Sequence, residues 1–196
     1  MPVEPLDPAR HDRTRFACGV AEVDRYFQAV ARQASERFVA QTYVLVPSSP
    51  REEPCEVLGY YTLVPYQYRD AEMDETTARA LKVSKLGSIP MILLGQLGMS
   101  VAHQGKGVGA ALLRDALRRS LFVALSIGAV AVITDPVNER AASFYLKHGF
   151  QSLPQQEPRL LIPTKQLVRY NPDIVTAFKQ RPELHEVAFG AQHFLA

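Results

Sequence analysis

Met91-Ile92-Leu93-Leu94-Gly95-Gln96-Leu97-Gly98-Met99-Ser100-Val101-Ala102-His103-Gln104-Gly105-Lys106-Gly107-Val108-Gly109 decides the reading of this chain. Its apolar first part reads as a strand, Gln104 to Gly109 as a glycine-rich turn, and the residues beyond the turn as a helix. A strand, such a turn and a helix N-terminus together cradle an anion. Glycine lets the backbone approach a ligand closely, and the first helical amides have no partner inside the helix. Those donors and the positive end of the helix dipole favour a phosphate or diphosphate.

Three phosphate-binding patterns compete for this turn. A P-loop needs a lysine followed by serine or threonine after its last glycine; Lys106 lies between glycines and precedes Gly107, so that reading fails. A dinucleotide fingerprint has its first two glycines in Gly105 and Gly107 but meets Ala110 at the third, and Thr134-Asp135 comes too late to supply its acidic residue. The pattern Gln/Arg-x-x-Gly-x-Gly/Ala fits Gln104, Gly107 and Gly109 without adjustment. It resembles the acetyl-CoA loop of the GNAT acetyltransferase superfamily. A glycine turn kept for packing is the plainer alternative.

The rest of the chain bounds the problem. At 196 residues, 47% hydrophobic and 21% charged, it has the length and composition of one globular domain. No apolar run approaches the ~20 residues of a membrane helix, and no secretory leader is evident, so a cytoplasmic protein without membrane contact is expected. Cys18 and Cys55 make neither a disulfide framework nor a metal site. A net charge of +2 identifies no nucleic-acid partner. Two local groups, Arg10/Arg13/Arg15 and Arg69/Arg79/Lys82/Lys85, are candidates for phosphate contacts or plain solvated surface.

Apolar periodicity predicts an amphipathic helix from about Val20 to Ser35, through Val23, Phe27, Val30 and Ala31. Thr42–Val46 and Glu56–Val64 read as a hairpin about the turn Pro47-Ser48-Ser49-Pro50. Arg69 to Pro90 is polar and leads into the long strand. A helix is predicted from about Gly107 to Leu125, a buried strand over Ala129–Thr134 and a second helix over Asn138–His148. Gly149 is placed to end that helix in the left-handed conformation. Phe150 starts a strand and Arg159–Pro163 forms the last. The order β, β, β, α, β, α, β predicts an α/β fold with a central mixed sheet flanked by helices.

This is the order of the GNAT acyl-CoA N-acyltransferase core. Asn138-Glu139-Arg140-Ala141-Ala142-Ser143-Phe144-Tyr145-Leu146-Lys147-His148-Gly149-Phe150 is similar to the superfamily's asparagine-to-tyrosine helix followed by Gly-Phe. The resemblance implies acetyl-CoA as substrate and no metal. Gln104, Gly105, Lys106, Gly107, Val108, Gly109 and Ala110 would hold its diphosphate, and Leu97, Gly98, Met99 and Val101 would pair with its pantetheine arm as an added strand does. Two parallel strands would splay to admit the arm. Gly98 marks either a bulge there or the close approach of another chain. Tyr145 would protonate the departing thiolate; packing on an apolar helix face is its plain alternative. Asn138 would cap its helix or bond the pantetheine.

A narrower resemblance covers roughly residues 13–167. Phe16-Ala17-Cys18-Gly19, Asp24-Arg25-Tyr26-Phe27, Leu58-Gly59-Tyr60-Tyr61-Thr62-Leu63, Leu94-Gly95-Gln96-Leu97, Asp115-Ala116-Leu117 and Arg159-Leu160 match the GNAT toxins of bacterial toxin–antitoxin modules. That family implies acetylation of the α-amine of aminoacyl-tRNA, a small ribbon-helix-helix antitoxin and a homodimer. Gln96, Gly98, Ser100 and Pro136 depart from its usual residues. Residues 168–196 extend beyond its usual end, leaving residues 1–167 as the acetyltransferase domain. Val175, Phe178, Val187, Phe189 and Phe194 would pack that extension on the core or on a partner. No strong general base stands out. His103 precedes the turn and His148 ends a helix. An α-amine of pKa ~7.7–8.0, unlike a lysine at ~10.4, is partly unprotonated without one. A small amine or a protein N-terminus is an alternative acceptor, and a non-catalytic acyl-CoA-binding module the alternative of another class.

Overall fold

The computed structural model describes residues 1–48, 54–84, 86–153, 156 and 158–180. Its strands are β1 (Val3–Pro5), β2 (His11–Asp12), β3 (Gln41–Leu45), β4 (Cys55–Glu56), β5 (Gly59–Arg69), β6 (Ser88–Met99), β7 (Ala131–Thr134), β8 (Gln151–Ser152) and β9 (Leu160–Pro163). Its helices are α1 (Ala21–Arg25), α2 (Ala31–Glu36), α3 (Glu75–Leu81), α4 (Val108–Ile127), α5 (Glu139–Lys147), α6 (Thr164–Tyr170) and α7 (Pro172–Gln180). Seven strands make one sheet in the order β1-β3-β5-β6-β7-β9-β8, while β2 and β4 pair apart from it. Within the large sheet the described pairings are antiparallel except β6 with β7.

Strand β5 shows why two helical layers form. Successive side chains point to opposite faces. Tyr60 meets Phe16 and Phe27 on the α1 side, and Tyr68 packs with Ile89 and Met91 under α3, while Tyr61 and Leu63 join the cluster of Leu112, Leu113 and Ala116 from α4. Phe27 stacks on Tyr60 at 4.2 Å and Phe16 meets it edge-on at 5.2 Å. Helix α4 is tied down further by a half-buried polar group. The Tyr61 hydroxyl donates to Asp115 at 2.6 Å, Arg119 Nε donates to the same carboxylate at 2.8 Å, and the guanidinium lies 4.3 Å from the Tyr43 ring centroid.

Several boundaries differ from the sequence-based expectation. The N-terminal helix is interrupted by a π-helical turn over Tyr26–Val30, next to the point where the Tyr60 hydroxyl donates to the Val23 carbonyl at 2.7 Å. The hairpin partner starts at Gly59 rather than Glu56, because Cys55 and Glu56 pair with His11 and Asp12. It then runs on to Arg69, since β6 offers a partner for every residue and overrides the polar composition and Pro65. Helix α3 was not expected. Its signal was Asp74, whose carboxylate accepts from the Thr77 amide at 2.9 Å as an N-cap. Beyond β9, Arg118 pairs with Asp173 at 2.6 Å and Phe122 meets Phe178 edge-on, so α7 lies along α4. Lys85, Ser49, Pro50, Val187, Phe189 and Phe194 lie outside the described residues.

The bulge falls at Gly95, not at Gly98. Thr62 pairs with Gln96 and Leu63 with Leu94, so Gly95 is the extra residue. Gly98 is instead crowded by side chains of its own chain. A Cβ there would lie 3.0 Å from Val23 Cγ1, 3.1 Å from Tyr60 Cε1 and 3.3 Å from Phe16 Cζ. Strands β6 and β7 pair only at Ile92 with Val132 and Leu93 with Ile133. Past that point they part, and the Thr134 hydroxyl donates to the Leu94 carbonyl at 3.0 Å where the gap begins.

Candidate active site

The gap between β6 and β7 opens into a cleft of about 730 Å³. One wall is the end of β6 with the turn before α4, a second is the Cys18-Gly19-Val20 segment with Val23 of α1, and a third is α5. A ligand entering it meets the strand edge, the helix α4 N-terminus and the Tyr145 side of α5 together.

The turn holds two left-handed glycines, Gly105 at φ 74° and Gly107 at φ 76°, on either side of Lys106. A side chain is strained in that region, and no atom stands within 4 Å of where either Cβ would be. The amides of Gly105, Lys106 and Gly107 donate to no acceptor among the described residues. Left-handed residues alternating with ordinary ones turn successive amides toward a common point, the nest geometry that binds anions. The Lys106 ammonium folds back instead onto the Ala102 carbonyl at 3.0 Å.

Sequence-predicted residues meet here, with corrections. Leu97, Gly98, Met99, Val101, Gln104, Gly105, Gly107, Gly109, Ala110, Asn138 and Tyr145 line the cleft; Lys106 and Val108 do not. Gln104 turns its side chain to the protein: its amide donates to the Cys18 carbonyl at 2.7 Å and the Met99 carbonyl at 3.0 Å. It therefore ties the α1-side wall to the end of β6. Val101 leaves the strand for a 3-10 turn, and its amide donates to Ala17 at 3.0 Å, so it has no amide left for an added strand. Asn138 caps α5, accepting from the Ala141 amide at 2.9 Å, as the plainer reading had it.

Tyr145 is buried, 6% exposed, between Phe144 and Phe150. Burial pushes its phenol up to about 12, against a smaller opposing effect of its hydrogen bond with Thr134. The phenol therefore keeps its proton at neutral pH and is a donor, not a base. His148 also lines the cleft. Its Nδ1 lies 2.7 Å from the Phe144 carbonyl, which can only accept, so that nitrogen carries the hydrogen and Nε2 is left as the acceptor. His103 lies outside the lining, with Nδ1 buried and unpartnered.

The sequence reading gave no site role to the Cys18–Val23 wall, Arg140 or Phe144. Cys18 and Gly19 stand within a family-like segment, but no local chemistry marks a loop that closes a cleft from 86 residues away in sequence. The Cys18 amide donates to Asp24 at 2.7 Å, which shapes that loop. Burial, the larger effect, and the Asp24 hydrogen bond push the Cys18 thiol up to about 11, so it is no nucleophile at neutral pH. Arg140 contributes a guanidinium that meets no carboxylate among the described residues.

Comparison with known proteins adds names to this geometry. The acetyltransferase (GNAT) domain matches residues 52–152. The chain is 31% identical over 168 residues, 82% of its own length and 90% of the relative's, to the probable toxin TacT of Sinorhizobium fredii. It is 27% identical over 151 residues, 77% of its length and 85% of the relative's, to a tRNA-acetylating toxin of Mycobacterium tuberculosis. Among solved structures, AtaT complexed with acetyl-methionyl-tRNAfMet superposes with a TM-score of 0.74 at 27% identity, covering 85% of this chain and 96% of that one. A mutant AtaT bound to the C-terminus of the antitoxin AtaR gives 0.70 at 27% identity, covering 85% and 94%.

Proposed function

We propose, from the premise that this chain belongs to the GNAT acetyltransferase family, that it transfers acetyl from acetyl-CoA to the α-amine of aminoacyl-tRNA and so blocks translation. The observation that carries the acetyl-CoA part is the continuity of one path: an amide nest at Gly105–Gly107, an unpaired strand edge at Gly95–Met99, and a protonated Tyr145 beside the opening of the sheet. The acceptor part is supported by the tRNA-acetylating relatives.

In this reading the nest binds the diphosphate. Leu97 pairs with the pantetheine arm, since by the two-residue period it directs its amide and carbonyl as Met99 and Val101 do, away from β5. Of those three, Met99 has given its carbonyl to Gln104 and Val101 its amide to Ala17. Arg140 adds positive charge for phosphates. The unprotonated α-amine attacks the thioester carbon, a C–N bond forms and the C–S bond breaks. Tyr145 gives its proton to the leaving sulfur, and the acceptor nitrogen releases its own to water or to His148. General-acid help of this kind is worth ~10²–10⁴ in rate. The phenol is fully loaded at neutral pH.

The partners expected from the same reading are a second copy of the chain, in a cytoplasmic homodimer, and a ribbon-helix-helix antitoxin that holds it inactive. Among the described residues no helix is long and apolar enough to cross a membrane. The direct test is to mix the purified chain with labelled acetyl-CoA and charged tRNA. Label in N-acetyl-aminoacyl-tRNA, and growth arrest on induction that Tyr145→Phe relieves, are expected. Label found only on small amines or a protein N-terminus would reject the tRNA reading.

A further inference from the structure

The side of the sheet away from α4 and α5 carries a second polar assembly. Thr134 faces Tyr145, in the cluster shared with α4. By strand alternation the next residue, Asp135, turns to the face of Ile133, Leu161 and Tyr66. There Arg159 grips it with a two-pronged pair, Nε to Oδ1 and Nη2 to Oδ2, both 2.7 Å. The guanidinium also donates to the Tyr66 hydroxyl at 3.0 Å and lies 5.2 Å from that ring's centroid. Arg159 is held on further sides while the Asp135 side chain stays 47% exposed. Pro136 restricts the residue before it to extended backbone, which fixes Asp135 as well.

We propose that Asp135 is the positioning group for the acceptor amine, which reaches the thioester through the splayed strands from the side of the sheet away from α4 and α5. This deepens the reading above and rests on it. The arrangement fits that task in three ways. Asp135 is one residue past Thr134, the residue that touches the general acid, and it follows β7 where that strand has parted from β6. Each carboxylate oxygen accepts one bond from Arg159 and keeps a second lone pair for an N–H. The bidentate pair is neutral overall, so it orients the amine without holding it as an ammonium, the form that cannot attack. Arg159 and Tyr66 act through Asp135 as its rigid support.

The experiment compares the full-length chain and its Asp135→Asn variant with two acceptors, a mixture of charged tRNAs and methionine methyl ester, which has the same α-amine beside an ester but no nucleic acid. Asp135→Asn should raise KM about tenfold or more for both acceptors and lower kcat less, with the acetyl-CoA dissociation constant unchanged within twofold. Arg159→Lys, which keeps the charge but not the two-pronged grip, should shift KM the same way by less. A shift seen with tRNA alone would make Asp135 a nucleic-acid contact and overturn the proposal, as would unchanged KM for both or a parallel loss of acetyl-CoA affinity. If the wild-type chain acetylates the ester and leaves tRNA untouched, the tRNA reading fails while the ester still decides the role of Asp135. Transfer to neither overturns both.

Discussion

Gly98 and the pair Gly105/Gly107 stand along one wall of the same cleft, and they need glycine for opposite reasons. The turn glycines are left-handed and have empty space where a side chain would go. Gly98 lies outside the left-handed region but has Val23, Tyr60 and Phe16 pressed against it. Backbone shape matters in the turn, and shape there means amides aimed at a ligand. Fit matters in the strand, and fit there means the N-terminal segment seated on the sheet. Helix α4 repeats the contrast, since the turn leading into it leaves the Gly105, Lys106 and Gly107 amides without an acceptor among the described residues while its middle is tied by Tyr61, Asp115 and Arg119. Chemistry, cofactor affinity and stability should therefore come apart when each is cut separately.

The largest effect belongs to the chemistry. Tyr145→Phe should lower kcat by about 10²–10⁴ and leave acetyl-CoA affinity within about twofold, because the ring stays in place between Phe144 and Phe150. Stopped-flow turnover with calorimetric binding reads both. Equal losses in rate and affinity would make Tyr145 part of the binding wall and erase the division. Next is the anchor. Asp115→Ala strips the acceptor from a buried Tyr61 hydroxyl and from Arg119, which should cost about 2–3 kcal/mol in denaturant unfolding with unchanged acetyl-CoA affinity below the transition. A drop in affinity of the still-folded variant would show the two ends of α4 to be coupled.

Two alanine substitutions then sharpen the glycine contrast directly. At Gly107 the left-handed backbone would cost about 1–2 kcal/mol. The expected relief is a rotation of the turn that misaims its amides, so acetyl-CoA affinity should fall about tenfold. At Gly98 neighbours must move by a few tenths of an ångström, costing about 1–2 kcal/mol of stability with a smaller change in affinity. Thermal melting and calorimetry on both proteins should give crossed results. The same ranking in both measurements would refute the contrast.

This division also explains what could be read from the residues alone. The turn and the Tyr145 helix were legible because their parts are contiguous: Gln104 to Gly109 form one turn, and Asn138 to Phe150 one helix with its terminator. Local periodicity and glycine chemistry suffice there. Long-range closure was not legible. Gln104 reads as a ligand-facing residue until the Cys18 carbonyl arrives beside it, and Val101 reads as strand until its amide meets Ala17. Gly95 and Gly98 look alike in sequence. Only the register against β5 shows which is the bulge and which is the tight contact. The Asp135–Arg159–Tyr66 group is joined from β5, β9 and the end of β7, so no local pattern could announce it.

The smallest expected effect is a flat line. In the folded chain the Tyr145 phenol is pushed up to about 12 by burial, against ~10 for an unfolded tyrosine. Below the lower value both states are protonated, and the full contribution to stability is present. As pH rises past it the unfolded chain ionises first, so this contribution is lost on the alkaline side, through the folded value. The same shift keeps the acid loaded, so turnover should rise with deprotonation of the acceptor amine near ~7.7–8.0 or below and then hold level to about pH 10. A descending limb centred between 9 and 10, absent in Tyr145→Phe, would put the phenol in water rather than against Phe150. The cofactor side would then be open where the packing closes it, and the contrast between a free backbone turn and a sealed catalytic wall would fail at its most buried residue.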